Sequence, residues 1–285
     1  MAIDLKNLSI RTVSGLVYAG LLVGAIVLGG IACSILFSVL AVIGCYELEN
    51  HTVRRENSTG WRATWVVDSA ALVALIFSCG FAHNSFLPAL FMLWVILVFL
   101  RFAMQVFINH DRPLKSIAVF TFTQFYLGLP LAMLTSAVVT CSNPWIIVCA
   151  IALIWINDTG AYLVGSLIGR RRMFPRLSPK KSWEGFFGGL AFNIGAAFIF
   201  FYCFHLKDAT LLSNVQGWIY VGMCVTAFAT LGDLFESMLK RSLGIKDFGK
   251  AIPGHGGVLD RIDSLLFVVP GVAFAVLLAQ MMFGL

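Results

Sequence analysis

Long apolar stretches separated by short polar ones organise this chain, and each is read against the thickness of a bilayer. A helix needs about 20 mostly apolar residues to cross ~30 Å of hydrocarbon. Nine stretches qualify, at roughly 12–29, 31–46, 64–82, 86–104, 116–139, 145–167, 184–204, 218–239 and 264–284. The second is short, and the fourth holds Pro88 near its start and Arg101 near its end. The pattern predicts an all-α polytopic membrane protein of about nine transmembrane helices.

Composition agrees. Of 285 residues, 59% are hydrophobic and only 12% charged, with a mean hydropathy of +0.90. A soluble domain carries about 25% charged residues, so this supply could not coat a globule of the same length. Disorder, a secreted disulfide scaffold and an ordinary cytosolic enzyme are excluded. The seven cysteines lie mostly inside apolar runs, without a C-x-x-C, and read as small packing residues. Lys6 and Arg11 precede the first apolar run as in a signal peptide, but Ser34–Gly44 continues apolar, so a retained first span is expected.

The formal charge of +6 changes the picture only once it is located. With the N-terminus in the cytoplasm, alternate connections collect 19 of the 20 Lys and Arg on that side, leaving Lys207 outside. Positive-inside asymmetry of this kind predicts N-in and C-out. It also removes the main warrant for a nucleic-acid role. Two regions are expected: 1–140, with the first five spans as a packing and lipid-access region, and 141–285, with the last four spans and two cytoplasmic loops at 169–183 and 240–263.

Charges inside a membrane are expensive and mark sites by default. One cluster is Trp155-Ile-Asn157-Asp158-Thr159-Gly160-Ala-Tyr162, which reads either as a functional carboxylate or as a polar helix contact. In the loop that follows, Arg170–Arg172 suit membrane-surface anchors. Ser178-Pro-Lys180-Lys181-Ser182 stands just before a helix opening with Trp183-Glu184-Gly185, where unpaired N–H groups favour phosphate. Asp233, Glu236, Ser237 and Lys240 follow i, i+3, i+4, i+7 spacing on one face, with Arg241 beside them. An ion ladder from Glu236 to Lys240 explains part of this but not Asp233. The last cluster is His255-Gly256-Gly257-Val-Leu-Asp260-Arg261-Ile-Asp263. His255 has no zinc-like partner spacing and serves either as a hydrogen-bonding or turn residue or as a general base. Several carboxylates for Mg²⁺ and many cations for phosphate oxygens point to metal-assisted phosphate chemistry at the cytoplasmic face. Neither a Walker A loop nor G-x-G-x-x-G is present.

The stretch from Ser237 to Asp263, with Lys240-Arg241, Gly-Ile-Lys246-Asp247, Gly249, Pro253-Gly-His255-Gly256-Gly257 and Asp260-Arg261-Ile-Asp263, resembles the signature of phosphatidate cytidylyltransferases, also called CDP-diacylglycerol synthases. Asp158-Thr159-Gly-Ala-Tyr162 and Ser178–Gly185 are similar to that family too. Ser182 departs from a more usual Thr but keeps the hydroxyl. The resemblance is specific over roughly 150–265. It implies transfer of the cytidylyl group from CTP to phosphatidate with loss of pyrophosphate, a Mg²⁺ requirement, an accessory K⁺ and a homodimer. A compact nine-span chain without a transit segment suits a bacterial inner membrane.

On that resemblance, Asp233, Asp260 and Asp263 hold the metal. Lys240, Arg241, Lys246, Arg261, Lys180 and Lys181 neutralise phosphates, while Ser178 and Ser182 bond phosphate oxygens. Asp158 orients a cation or the cytidine, with Glu184, Gly256 and Gly257 also near substrate. Rival readings are another CTP-dependent lipid enzyme, such as an isoprenoid-alcohol kinase, and an ion-coupled transporter. The transporter is disfavoured by phosphate-binding loops on one side only and by the lack of paired repeats.

Overall fold

The computed structural model describes residues 5–54, 60–81, 86–108, 112–204, 214–252 and 256–283. His255 and Lys207 therefore lie outside the described residues. The helices are α1 (Leu5–Leu28), α2 (Gly30–Thr52), α3 (Trp61–Gly80), α4 (Leu87–Phe107), α5 (Pro113–Thr123), α6 (Leu129–Thr140), α7 (Pro144–Ile168), α8 (Trp183–Phe204), α9 (Val215–Ser242) and α10 (Leu259–Phe283). A π-helical turn, Gln124–Gly128, joins α5 and α6 into one span. Each predicted stretch is thus one continuous helix among the described residues. Eight are long and apolar enough to cross a bilayer, and α1 contributes a shorter apolar run, Thr12–Leu28. The protein is an all-α integral membrane protein.

Two boundaries differ from expectation for physical reasons. The second span runs on past residue 46 to Thr52, and Glu47 and Glu49 in the added turns are buried at 4% and 1% exposure. The fifth contains the π turn because Pro130 has no N–H to donate and its ring displaces the carbonyl four residues back. There Leu129 N–H donates instead to Gln124, five residues earlier.

The chain forms two compact units. The first comprises Met1–Thr140 and Leu243–Ile262. Its core includes Ile26, Phe37, Ala41, Ala71, Leu72, Ile76, Leu127 and Leu131. α4 is exposed or half-buried along its length, with Arg101 its one buried residue. Arg101 Nε donates to Asp68 Oδ1 on α3 at 2.7 Å, and its Nη2 donates to Ser116 Oγ on α5 at 2.7 Å.

The second unit comprises Cys141–Ser242 and Asp263–Leu285. Asn143 caps α7, its side chain accepting from Trp145 N–H, with Pro144 at the first helical position. α7 and α8 approach closely along glycines. A Cβ on Gly185 would lie 2.9 Å from the Ala161 carbonyl, and one on Gly165 would be 3.4 Å from Gly185 Cα. Asn193 on α8 donates to Thr226 Oγ1 on α9 at 2.9 Å. The connection from α7 to α8, read from sequence as a loop, folds into an antiparallel hairpin, β1 (Arg172–Phe174) and β2 (Ser178–Ser182). Among the described residues six cysteines are free, three of them buried.

Candidate active site

A cavity of about 620 Å³ opens in the second unit, bounded by α7, the hairpin, the start of α8 and α9. That is within the range of small-molecule sites, roughly 300–1,000 Å³. α7 contributes Asp158, Ala161, Tyr162, Gly165 and Ser166, spaced as one helix face, and Gly169 at its C-terminal cap follows. The absence of side chains at Gly165, Gly169 and Gly185 leaves room where helix and hairpin meet. Ser178, Lys180 and Ser182 line it from alternate positions of β2, joined by Lys181 and by Arg172 of β1. Thr230 and Asp233 close it from α9.

The charged groups are held in place. Lys181 Nζ lies 2.7 Å from Asp233 Oδ2, and it donates to the Thr230 carbonyl at 3.4 Å. Arg172 Nη1 donates to the Lys180 carbonyl at 3.0 Å, bracing the hairpin. Ser182 is buried, and its Oγ accepts from Gly185 N–H at 3.2 Å, which makes it the cap of α8. Asn157 donates to Asp158 Oδ1 at 3.4 Å. The cavity thus presents three cations, several hydroxyls and two carboxylates. Such a surface suits a polyanion whose charge is balanced partly by protein and partly by a cation.

The other predicted residues stand elsewhere. Glu184 turns away from the cavity and accepts from Arg170 and Arg171 N–H at 3.1–3.2 Å, tying the end of α7 to the start of α8. Lys240 pairs with buried Glu236 at 3.1 Å, one turn apart on α9. Arg241, Lys246 and Arg261 are exposed. Asp263 has Glu236, Asp233 and Lys240 as charged neighbours and accepts from Ser264 N–H. In the first unit, Asp260 Oδ2 accepts from Phe248 and Gly257 N–H, both at 2.9 Å. Gly256, at φ +93°, and Gly257 form the turn before it.

Among the described residues no three His, Cys, Asp or Glu side chains gather closely enough to enclose a metal ion. The donor chemistry nonetheless fits. Asp158, Asp233 and Asp263 are electrostatic neighbours, with Lys181 the cation near Asp158 and Lys240 the one near Asp263. Carboxylate oxygens are hard donors of the kind Mg²⁺ takes. Reasoning from sequence missed several cavity residues, Arg172, Ser166 and Thr230 among the polar ones. Arg172 read as a membrane anchor, and Thr230 gave no signal because a Thr in an apolar helix usually bonds its own backbone.

The model of the Cytidylyltransferase family matches residues 9–279. The chain belongs to that family. Among curated relatives, the phosphatidate cytidylyltransferase of Haemophilus influenzae is 49% identical over 120 residues, 41% of this chain and 41% of that protein. The Staphylococcus aureus enzyme of the same name is 42% identical over 125 residues, 42% of this chain and 45% of the relative. That of Staphylococcus haemolyticus is 42% identical over 134 residues, 46% and 48% respectively. The matched segments span less than half the length of each relative.

Proposed function

We propose that this cytidylyltransferase transfers the cytidylyl group of CTP to phosphatidate, giving CDP-diacylglycerol and pyrophosphate. The observation that carries the reading is the cavity of the second unit, where Arg172, Lys180 and Lys181 converge beside Asp158 and Asp233. The names of the curated relatives supply the lipid.

In this reaction an oxygen of the phosphatidate phosphate attacks the α-phosphorus of CTP. A new P–O bond forms, the bond from the α-phosphorus to the bridging oxygen breaks, and pyrophosphate departs with that electron pair. The nucleophile is already anionic at neutral pH, so no strong base is needed. The side chains instead position both phosphates and neutralise charge on the leaving group. Lys180, Lys181 and Arg172 supply that charge, and Ser178 adds a hydroxyl for a phosphate oxygen. Asp233 keeps the Lys181 ammonium aimed into the cavity.

Asp233 and Asp263 would hold Mg²⁺, with Asp260 added by its spacing one turn before Asp263, and the metal when bound draws negative charge from the phosphates. Asp158 would orient a cation or the cytidine. Lys240, Arg241, Lys246 and Arg261 are proposed to raise the local concentration of anionic substrate. An accessory K⁺ and a homodimer belong to the same proposal. So do a site facing the cytoplasm, supported by the distribution of Lys and Arg, and a bacterial inner membrane, supported by the bacterial source of the relatives.

The test is pyrophosphate release by detergent-purified protein with Mg²⁺, CTP and phosphatidate, omitting each in turn. Release that depends on all three, with CDP-lipid as product, is expected. A phospho-lipid and CDP would instead mean kinase chemistry.

A further inference from the structure

We propose that Glu47, on α2, is a positioning residue for Asp260, in the first turn of α10, through the backbone that leads into that helix. Glu47 is buried, and both carboxylate oxygens are engaged. Oε1 accepts from Val258 N–H and Oε2 from Leu259 N–H, each at 3.0 Å. Those amides are the first of α10, where a helix presents N–H groups without intrahelical partners. Such groups are usually satisfied by a nearby Ser, Thr, Asp or Asn. Here Val258 stands at the cap position and has no polar side chain, so the acceptor comes from more than 200 residues away.

The loop is shaped around this carboxylate. A Cβ on Gly257 would meet both Glu47 oxygens at 2.7 Å, and one on Gly249 would overlap Glu47 Oε1. One turn further along α2, the His51 ring bonds the Phe248 carbonyl through Nε2 at 2.9 Å. Glu47 and His51 therefore grip the two ends of the loop from one helix face. Between those grips, Asp260 Oδ2 receives its two hydrogen bonds from Phe248 and Gly257. Moving either backbone segment moves that carboxylate.

Two physical arguments favour positioning over simple packing. A carboxylate buried in a membrane-spanning helix is costly, and an apolar side chain would fill the same space more cheaply. Furthermore, the open N-terminus of a helix is an anion site. With Glu47 seated there, the amides of Val258 and Leu259 are occupied, and substrate phosphates are left to the lysines and arginines.

The role rests on the proposed cytidylyl transfer, so the experiment separates the two. Full-length wild type, Glu47→Gln and Glu47→Ala are compared in detergent for kcat, KM for CTP, Tm and hydrogen exchange of peptides covering 246–262. Gln keeps the volume, but its amide nitrogen cannot accept, so one loop amide loses its partner. The expected result is a kcat lower by about 10–100-fold, the usual size for groups that orient a functional side chain. KM for CTP stays within about threefold, Tm moves little, and exchange in 246–262 rises. Turnover within twofold of wild type, or unchanged exchange in that segment, overturns the proposal. Should both variants fold poorly, Gly249→Ala displaces the same carboxylate from the loop side and must give the same split between kcat and KM. If wild type itself releases no pyrophosphate, the proposed reaction fails, and the exchange data still decide whether Glu47 holds the loop.

Discussion

Lys181 is where charge, position and chemistry meet most closely. Its ion pair with Asp233 is partly exposed, at 23% and 42% for the two side chains, and such pairs contribute about 0–1 kcal/mol to stability. Its worth lies in holding an ammonium in the cavity. Lys181→Ala should therefore lower Tm only slightly yet cut turnover by about 10–100-fold, since hydrogen bonds to charged groups are worth about 1.5–3 kcal/mol. Pyrophosphate release and thermal unfolding, measured on the same preparation, check this. A parallel fall in both would make the lysine a structural anchor. Asp260→Asn should abolish turnover at normal yield, and retention of half the activity would remove Asp260 from the machinery.

Among the elements, α4 offers the sharpest contrast between surface and interior. The helix is exposed or half-buried except at Arg101, which is 1% exposed and bonded to Asp68 and Ser116. Breaking a buried pair by removing one partner costs about 3–5 kcal/mol, because the other charge stays behind. Arg101→Met should thus be strongly destabilising, while Asp68→Asn combined with Arg101→Met should recover part of the loss. Thermal unfolding of both variants in detergent reads the difference, and additive losses would rule out the pair as the cause. The hairpin is the second such element. Glu184 ties Arg170 and Arg171 to the start of α8, so Glu184→Ala should loosen β1–β2 and raise KM for CTP more than it lowers Tm. Neither feature was legible beforehand. Arg101 looked like the end of an apolar run, and the three-residue strand Arg172–Phe174 has no alternation long enough to read.

For the whole molecule, the distribution of Lys and Arg predicts which ends of the helices face the cytoplasm. Single cysteines introduced at Arg176 and Lys207 in a cysteine-free background should label from opposite sides of intact cells, with Lys207 outside. Labelling of both from one side would reverse or break the topology. The sequence by itself determined the number and placement of the helices. In hydrocarbon every backbone N–H and C=O must be satisfied within its own segment, so hydrophobic length alone specifies each span. It also marked the residues that cost something there, among them Asp158, Lys180, Lys181 and Asp233. Only the tertiary structure decided which of them share a cavity, that the loop before α8 is a hairpin, and that Glu47 caps α10. Those facts depend on contacts between residues far apart in the chain, as Glu47 and Leu259 are. A buried carboxylate near the end of an apolar run looks the same in sequence whether it ends a helix or holds another one in place.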